Sequence, residues 1–111
     1  MKKIYNSVIP VKGFKAITFW PFVFIRKDVL LSDKDIRHES IHGEQQKEML
    51  LIGFYLWYGI EWIIKLFYYR NSITAYKNIS FEREAYSNQD NIVYLDERKP
   101  YAFMKYLTKN Y

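Results

Sequence analysis

The sequence contains no cysteine, and histidine occurs only twice, at His38 and His42. Without thiols the chain can form neither a disulfide nor a thiolate metal site, so a bound metal ion must use histidine, aspartate, glutamate, backbone oxygen or water. Glycine and proline are also scarce, with 4 and 3 residues among 111, and there is no linker, low-complexity tract or internal repeat. We therefore predict a single compact domain over residues 1–111.

Basic residues are in mild excess, with 17 basic and 12 acidic residues and a net charge of +5. The basic residues are scattered, with no run of five or more, so we predict no nucleic-acid partner. The N-terminus is basic, but no long apolar stretch follows it, because charged, Gly and Pro residues interrupt residues 10–15. The sequence therefore predicts no cleavable signal peptide and a place on the cytoplasmic side.

The first third of the chain changes from an extended pattern to a helical one. Residues 17–27 are rich in β-branched and aromatic side chains and predict a hairpin or two short strands, with Pro21 at the bend. Ser32 and Asp33 are both good N-caps for a helix that reaches about Glu48.

The segment 49–69 is almost entirely apolar or aromatic. We predict a helix, with Gly53 and Gly59 as possible break points and a favourable i,i+4 pair of Glu61 and Lys65. A membrane span needs about 20 apolar residues, but charges inside a bilayer are costly. The sequence leaves open whether this helix lies in the core, on the surface of the inner membrane or inserted in it.

The last third of the chain predicts two further helices. After a turn at residues 70–72, Ser80 is a candidate N-cap for the first of them. A charged turn at residues 96–100 precedes a last short helix over residues 101–107, opened by Pro100. The whole pattern predicts an α+β fold, with a short N-terminal hairpin or sheet followed by three to four helices.

One motif carries the chemistry: His38-Glu39-Ser40-Ile41-His42, an H-E-x-x-H sequence. Side chains four apart on a helix lie on one face, so both imidazoles can bind a single metal ion. Glu39 is badly placed as a ligand, but it can reach a metal-bound water and act as a general base. This pattern predicts one Zn²⁺ ion at the two histidines.

A catalytic zinc site needs three protein ligands and an open position for water. With no cysteine and no third histidine, the remaining ligand must be an aspartate or a glutamate. The best candidate is Glu82, which a second helix could bring to the metal, and Glu84 is the alternative because it points about 200° away on the same helix. The sequence does not decide between the two.

These two stretches resemble the zincin metallopeptidases of the gluzincin branch. His38-Glu39-Ser40-Ile41-His42 matches their H-E-x-x-H helix, and Glu82-Arg83-Glu84-Ala85 resembles the E-x-x-A segment of the membrane-embedded gluzincins that process prenylated peptides. In that segment the first Glu is the third ligand, which implies Glu82 here. The family has Asp at the next position, where this chain has Tyr86. Most of the chain also resembles small bacterial zincin-like proteins, which implies a minimal zincin-like domain.

The function predicted from this resemblance is zinc-dependent hydrolysis of peptide bonds in a peptide or protein substrate. Zinc would lower the pKa of a bound water, and Glu39 would take its proton and pass it to the leaving amine. The strand at residues 22–26 could pair with an extended substrate. Four side chains are candidate donors to the oxyanion: Tyr86, Tyr94, Arg37 and Arg83.

Two other classes of function remain open from the sequence. The chain could bind zinc for stability without any catalysis, since metals stabilise small cores. It could also be a membrane-associated interaction protein that uses the aromatic helix 49–69 as its contact surface.

Overall fold

A computed structural model describes residues 2–10 and 13–107. Residues 1, 11, 12 and 108–111, which include both ends of the predicted domain, lie outside the described residues. Within the described part, β1 (Lys2–Asn6), β2 (Ala16–Phe19) and β3 (Phe22–Arg26) form a sheet in the order β1-β3-β2. β1 is parallel to β3, and β2 is antiparallel to it.

The N-terminal sheet followed by helices confirms the predicted α+β fold. The hairpin of β2 and β3 turns at Trp20 and Pro21, as the proline indicates. β1 is an addition that the sequence does not predict, and it makes β3 the central strand. The prediction that residues 22–26 pair with a substrate is therefore wrong, because both edges of that strand are already paired.

Helix α1 (Asp33–Glu48) begins as its capping residues predict. The Ser32 side chain accepts from the amide of Asp35, and the Asp35 carboxylate accepts from the amide of Ser32. This reciprocal capping box fixes the start of the helix. The H-E-x-x-H motif lies in its middle turns, where every backbone group is held by the helix.

Helix α2 (Ile52–Tyr69) follows α1 after a sharp bend of 111°. The break falls at Leu50 and Leu51, which have φ of 55° and 60°. Gly53 and Gly59 both lie inside α2 and do not interrupt it. In the described part of the chain no single helix is long and apolar enough to cross a membrane, although α1 and α2 together, across their bend, pass that test of length and composition.

Three shorter α-helices and a 3₁₀ helix complete the described chain. They are α3 (Ser72–Lys77), α4 (Ser80–Asn88), α5 (Tyr94–Glu97) and the 3₁₀ helix Ala102–Tyr106. α3 begins within the predicted turn at residues 70–72. The 3₁₀ helix takes the place of the predicted last helix.

The start of α4 differs from its prediction. Ile79, not Ser80, is the N-cap residue, and no side-chain cap comes from within the helix. Instead the buried Glu61 carboxylate on α2 accepts from the Ser80 amide at 2.8 Å and from the Ser80 hydroxyl. Glu61 also makes the predicted pair with Lys65, at 3.4 Å. An acid from another helix therefore stabilises the N-terminus of α4.

The hydrophobic core joins α2, α4 and the 3₁₀ helix. Phe54, Ile79, Phe81 and Phe103 are its fully buried members. The ring of Phe81 lies 4.5 Å from the rings of both Phe54 and Phe103, measured between centroids. This aromatic stack holds α4 against α2 and the 3₁₀ helix. Glu82 follows Phe81 on α4 and contacts His38 and His42 on α1.

Candidate metal centre

Three ligand atoms from α1 and α4 converge on one point. The Nε2 atoms of His38 and His42 are 3.1 Å apart, and Oε1 of Glu82 lies 3.3 Å from the first and 3.1 Å from the second. All three side chains are buried. The described structure thus places His38, His42 and Glu82 within metal-binding distance of one another.

The size of this triangle matches what a zinc ion requires. Zinc–nitrogen and zinc–oxygen bonds of about 2.0–2.1 Å at tetrahedral angles put neighbouring ligand atoms about 3.3 Å apart. The three separations lie between 3.1 and 3.3 Å. The residues present therefore fit a small tetrahedral cation without any rearrangement of the backbone.

The protonation of both imidazoles follows from their outer hydrogen bonds. Nδ1 of His42 lies 2.8 Å from Oε1 of Gln45, and Nδ1 of His38 lies 2.7 Å from Oε1 of Gln89. The amide nitrogen of Gln45 donates to the Phe81 carbonyl and to a Glu84 carboxylate oxygen, both at 3.0 Å, so its oxygen must face the histidine. Since an amide oxygen only accepts, Nδ1 carries the proton in each ring.

With Nδ1 hydrogen-bonded on the outer side, each imidazole turns its Nε2 atom toward the carboxylate oxygen of Glu82. Three electron-rich atoms this close repel one another unless a cation lies between them. Burial disfavours the imidazolium of His42, but the neighbouring Glu82 carboxylate outweighs burial and raises the pKa of His42 to about 9. Burial likewise opposes ionisation of Glu82, but His42 and His38 hold its pKa well below the ordinary value. The raised pKa of His42 therefore favours a proton where the three atoms converge, at the place that suits a metal ion.

Metal affinity should consequently depend on pH. In the metal-free protein His42 keeps its extra proton up to its raised pKa of about 9, while Glu82 is ionised throughout. A zinc ion that bound here would displace one proton, so we expect its affinity to fall roughly tenfold per unit as pH drops from about 8 to about 6. Chelator competition at several pH values measures this slope. A zinc affinity that stays constant over the range would exclude the displaced proton.

The second carboxylate oxygen of Glu82 is held by Tyr58 on α2. The Tyr58 hydroxyl donates to Oε2 at 2.8 Å. Burial, together with the charge of Glu82, raises the pKa of Tyr58 far above its usual value, so the phenol stays a donor. The carboxylate is thereby fixed with Oε1 toward the histidines, so Oε1 is the atom that Glu82 would offer to a metal ion.

Glu84, the alternative third ligand, belongs to a different buried cluster. Arg98 donates to both carboxylate oxygens of Glu84. It also donates to Glu48, with a shortest distance of 2.7 Å. Glu84 is linked to His42 through Gln45, which contacts the two residues with opposite ends of its amide. Glu84 therefore supports the orientation of His42 from behind, as acidic groups behind metal ligands commonly do.

Glu39 faces the same cleft as the three converging side chains. Its Oε1 accepts from the Thr18 hydroxyl on β2 at 2.6 Å, and Thr18 is buried. The cleft has a volume of about 690 Å³, is bounded by β2, α1, α2 and α3, and is lined by Glu39 together with His38, His42 and Glu82. A single open space thus reaches both the candidate ligands and the candidate base.

Three of the four predicted oxyanion donors point elsewhere. The Tyr94 hydroxyl donates to Glu84, and Arg37 and Arg83 each donate to a backbone carbonyl. None of the three is among the residues that line the cleft. Their hydrogen bonds place them in the support of the fold around the site.

The fourth predicted donor, Tyr86, leads to a residue that the sequence does not indicate. Its ring packs against His38 at 4.5 Å between centroids, and its hydroxyl lies 3.4 Å from that of Tyr76. Tyr76 is on α3 and lines the cleft itself. Burial and the charge of Glu82 raise the pKa of Tyr76 far above normal, so its hydroxyl keeps its proton. No local pattern points to Tyr76, because the sequence predicts only a turn at residues 70–72 and no helix at the position of α3.

The chain matches no protein-family model, no curated protein and no solved structure. The resemblance to gluzincins thus rests on the two short sequence segments alone. Independently of that resemblance, the structure brings two imidazoles and one carboxylate together in a metal-binding arrangement.

Proposed function

We propose that this protein is a zinc-dependent peptidase of the zincin type. The observation that carries the proposal is the convergence of His38, His42 and Glu82 beside Glu39 in one open cleft. The tautomers of both histidines leave their Nε2 atoms free to bind a metal. A purely structural zinc site is closed by its ligands and needs no further carboxylate such as Glu39 beside it.

The chain's own residues would hold the ion and keep its ligands in place. His38, His42 and Glu82 supply three ligands, and Tyr58 restrains the carboxylate of the last. When bound, zinc would lower the pKa of a water molecule and polarise the scissile carbonyl. Three protein ligands would leave a fourth coordination position for water or substrate.

Glu39 would move the proton that hydrolysis requires. As general base it accepts a proton from the attacking water while the new C–O bond forms at the scissile carbonyl carbon. When the C–N bond breaks, the same carboxyl group donates that proton to the leaving amine. The Thr18 hydroxyl, 2.6 Å from Oε1, fixes the carboxylate for both steps. The Tyr76 hydroxyl, at the cleft wall, is our candidate donor to the oxyanion.

The substrate strand would lie along β2 and not along β3. At the start of this antiparallel pair the backbone amide of Arg26 donates to the carbonyl of Lys15. Hydrogen-bonded and non-hydrogen-bonded residues alternate along such a strand, so Ala16 and Thr18 turn their backbone groups away from β3. Both line the cleft. The Thr18 carbonyl already accepts from Gln46 and Tyr55, which limits the usable edge to Ala16 and the Thr18 amide. A short extended peptide could add to this edge as a further strand.

Digestion of a complex peptide mixture tests the proposal directly. Zinc-loaded protein is incubated with the mixture, and new termini are identified by mass spectrometry. We expect cleavage that stops when the metal is stripped by a chelator and returns when zinc is added back. A protein that binds zinc in this experiment but generates no new termini would instead be a zinc-binding protein without peptidase activity.

A further inference from the structure

A stripe of large apolar side chains runs along the outer face of α2, and the metal centre makes no use of it. Its members recur every three or four residues, which places them on one side of the helix, and each is between 49 and 77% exposed. We call this stripe the α2 outer face: Ile52, Leu56, Ile60, Ile63 and Phe67. At 1.5 Å per residue it extends about 22 Å along the helix.

The α2 outer face is separate from both the core and the cleft. The core side of the helix carries Phe54, Trp57, Glu61 and Lys65, which pack or pair inside the protein. The cleft is lined from α2 by other side chains, namely Phe54, Tyr55 and Tyr58. A contiguous exposed apolar surface of this extent is uncommon on a soluble monomer and marks a contact with a partner or a membrane.

The exposed charges of the segment that contains α2, α3 and α4 favour an anionic surface. Every acidic side chain between residues 49 and 89, namely Glu61, Glu82 and Glu84, is buried. In contrast, Arg70 at the end of α2 and Lys77 at the end of α3 are exposed. The exposed charge of this part of the protein is thus purely basic, which a bilayer with anionic lipids complements.

We propose that the α2 outer face docks this protein on an anionic lipid bilayer, with α2 lying in the plane of the interface. Its apolar side chains enter the acyl boundary, while Arg70 and Lys77 contact the headgroups. Tyr68, 78% exposed near the end of α2, suits the interfacial level that tyrosine prefers. A second copy of the chain would oppose its own basic residues to like charges, so the bilayer is the better complement.

Flotation with lipid vesicles tests this docking without any need for hydrolysis. Purified wild-type protein is mixed with vesicles of phosphatidylcholine containing a minority of phosphatidylglycerol, or with vesicles of phosphatidylcholine alone. We expect the protein to float with the mixed vesicles, less with the neutral ones, and to dissociate as salt is raised. The Leu56→Glu variant should partition at least about tenfold less, because it places a charge where an apolar side chain enters the bilayer.

A matched control separates the α2 outer face from apolar exposure in general. Leu30 is 93% exposed in the loop between β3 and α1, so Leu30→Glu makes the same chemical change outside α2 and should bind vesicles as the wild type does. Equal zinc content and thermal stability show that both variants fold. Absence of wild-type flotation, or equal loss in both variants, would overturn the proposal. So would a wild-type dimer that ignores vesicles and that Leu56→Glu converts to a monomer.

Discussion

Replacing Glu39 with glutamine is expected to lower the rate of peptide hydrolysis by roughly two to four orders of magnitude. The amide has the shape of the carboxylate and can still accept from the Thr18 hydroxyl, so the geometry of the cleft should persist. It cannot accept a proton from water, and general-base catalysis is lost. Because Glu39 is not one of the three residues whose ligand atoms converge, the zinc content of the variant should equal that of the wild type.

Comparison with a second glutamate on the same helix makes this result specific. Glu44 lies on α1, half-exposed and paired with Lys47 at 2.8 Å, so Glu44→Gln changes the same charge without touching the cleft. Initial rates on one cleaved peptide and zinc content are measured for both variants. If Glu39→Gln retained most of the activity, another group would have to accept the proton, and the assigned role of Glu39 would be incorrect.

Glu82→Gln and Glu84→Gln should have opposite dominant effects, although they remove neighbouring carboxylates on one helix. Glu82→Gln removes the only anionic member of the ligand group, so zinc affinity should fall at least about a hundredfold. The reason is that one of three ligands contributes a large share of the ~10–16 kcal/mol typical of zinc sites. The hydrogen bond from Tyr58 can persist to the amide oxygen, which limits the loss of stability.

Glu84→Gln should instead act mainly on folding. Arg98 would lose its fully buried carboxylate partner and keep only the partly buried Glu48, so we expect the free energy of unfolding to fall by about 2–3 kcal/mol. Zinc affinity should fall only about tenfold, through the weakened support of Gln45 behind His42. Denaturant unfolding and chelator competition on both variants check this contrast. The reverse pattern, with zinc lost in Glu84→Gln and kept in Glu82→Gln, would exchange the two residues' roles.

The parts of the site that the sequence reveals are those encoded locally. The capping residues of α1 lie next to the helix they start, and His38 and His42 share a face through helical spacing alone. The choice between Glu82 and Glu84 is not encoded locally, because the tertiary structure decides which of the two carboxylates reaches the histidines. That decision depends on how Phe81 packs in the core, which no short pattern records.

The residues that support the ligands are invisible in the sequence for the same reason. The contacts of Thr18, Tyr58 and Gln89 with side chains of the site span 21, 24 and 51 positions along the chain. Their residue types are common and carry no spacing. Gln45 is the exception, since it follows His42 by three residues on the same helix and is within local reach.

The fold shows the same limit. β1 is a basic segment whose parallel pairing with β3 is a long-range contact, so its own composition gives little sign of a strand. The bend between α1 and α2 falls on Leu50 and Leu51 and not on the nearby Gly53, although leucine disfavours positive φ. No local pattern therefore predicts the angle between the two helices, which sets the shape of the cleft.

Zinc content of the purified wild type, measured by elemental analysis beside His42→Ala, tests the central claim most directly. His42 supplies one of the three converging atoms and is the residue whose Nε2 is closest to both of the others. We predict about one zinc ion per wild-type chain and a loss of nearly all of it in the variant. A wild-type protein that contains no zinc, even after refolding with the metal present, would contradict the assignment of this cluster as a metal centre.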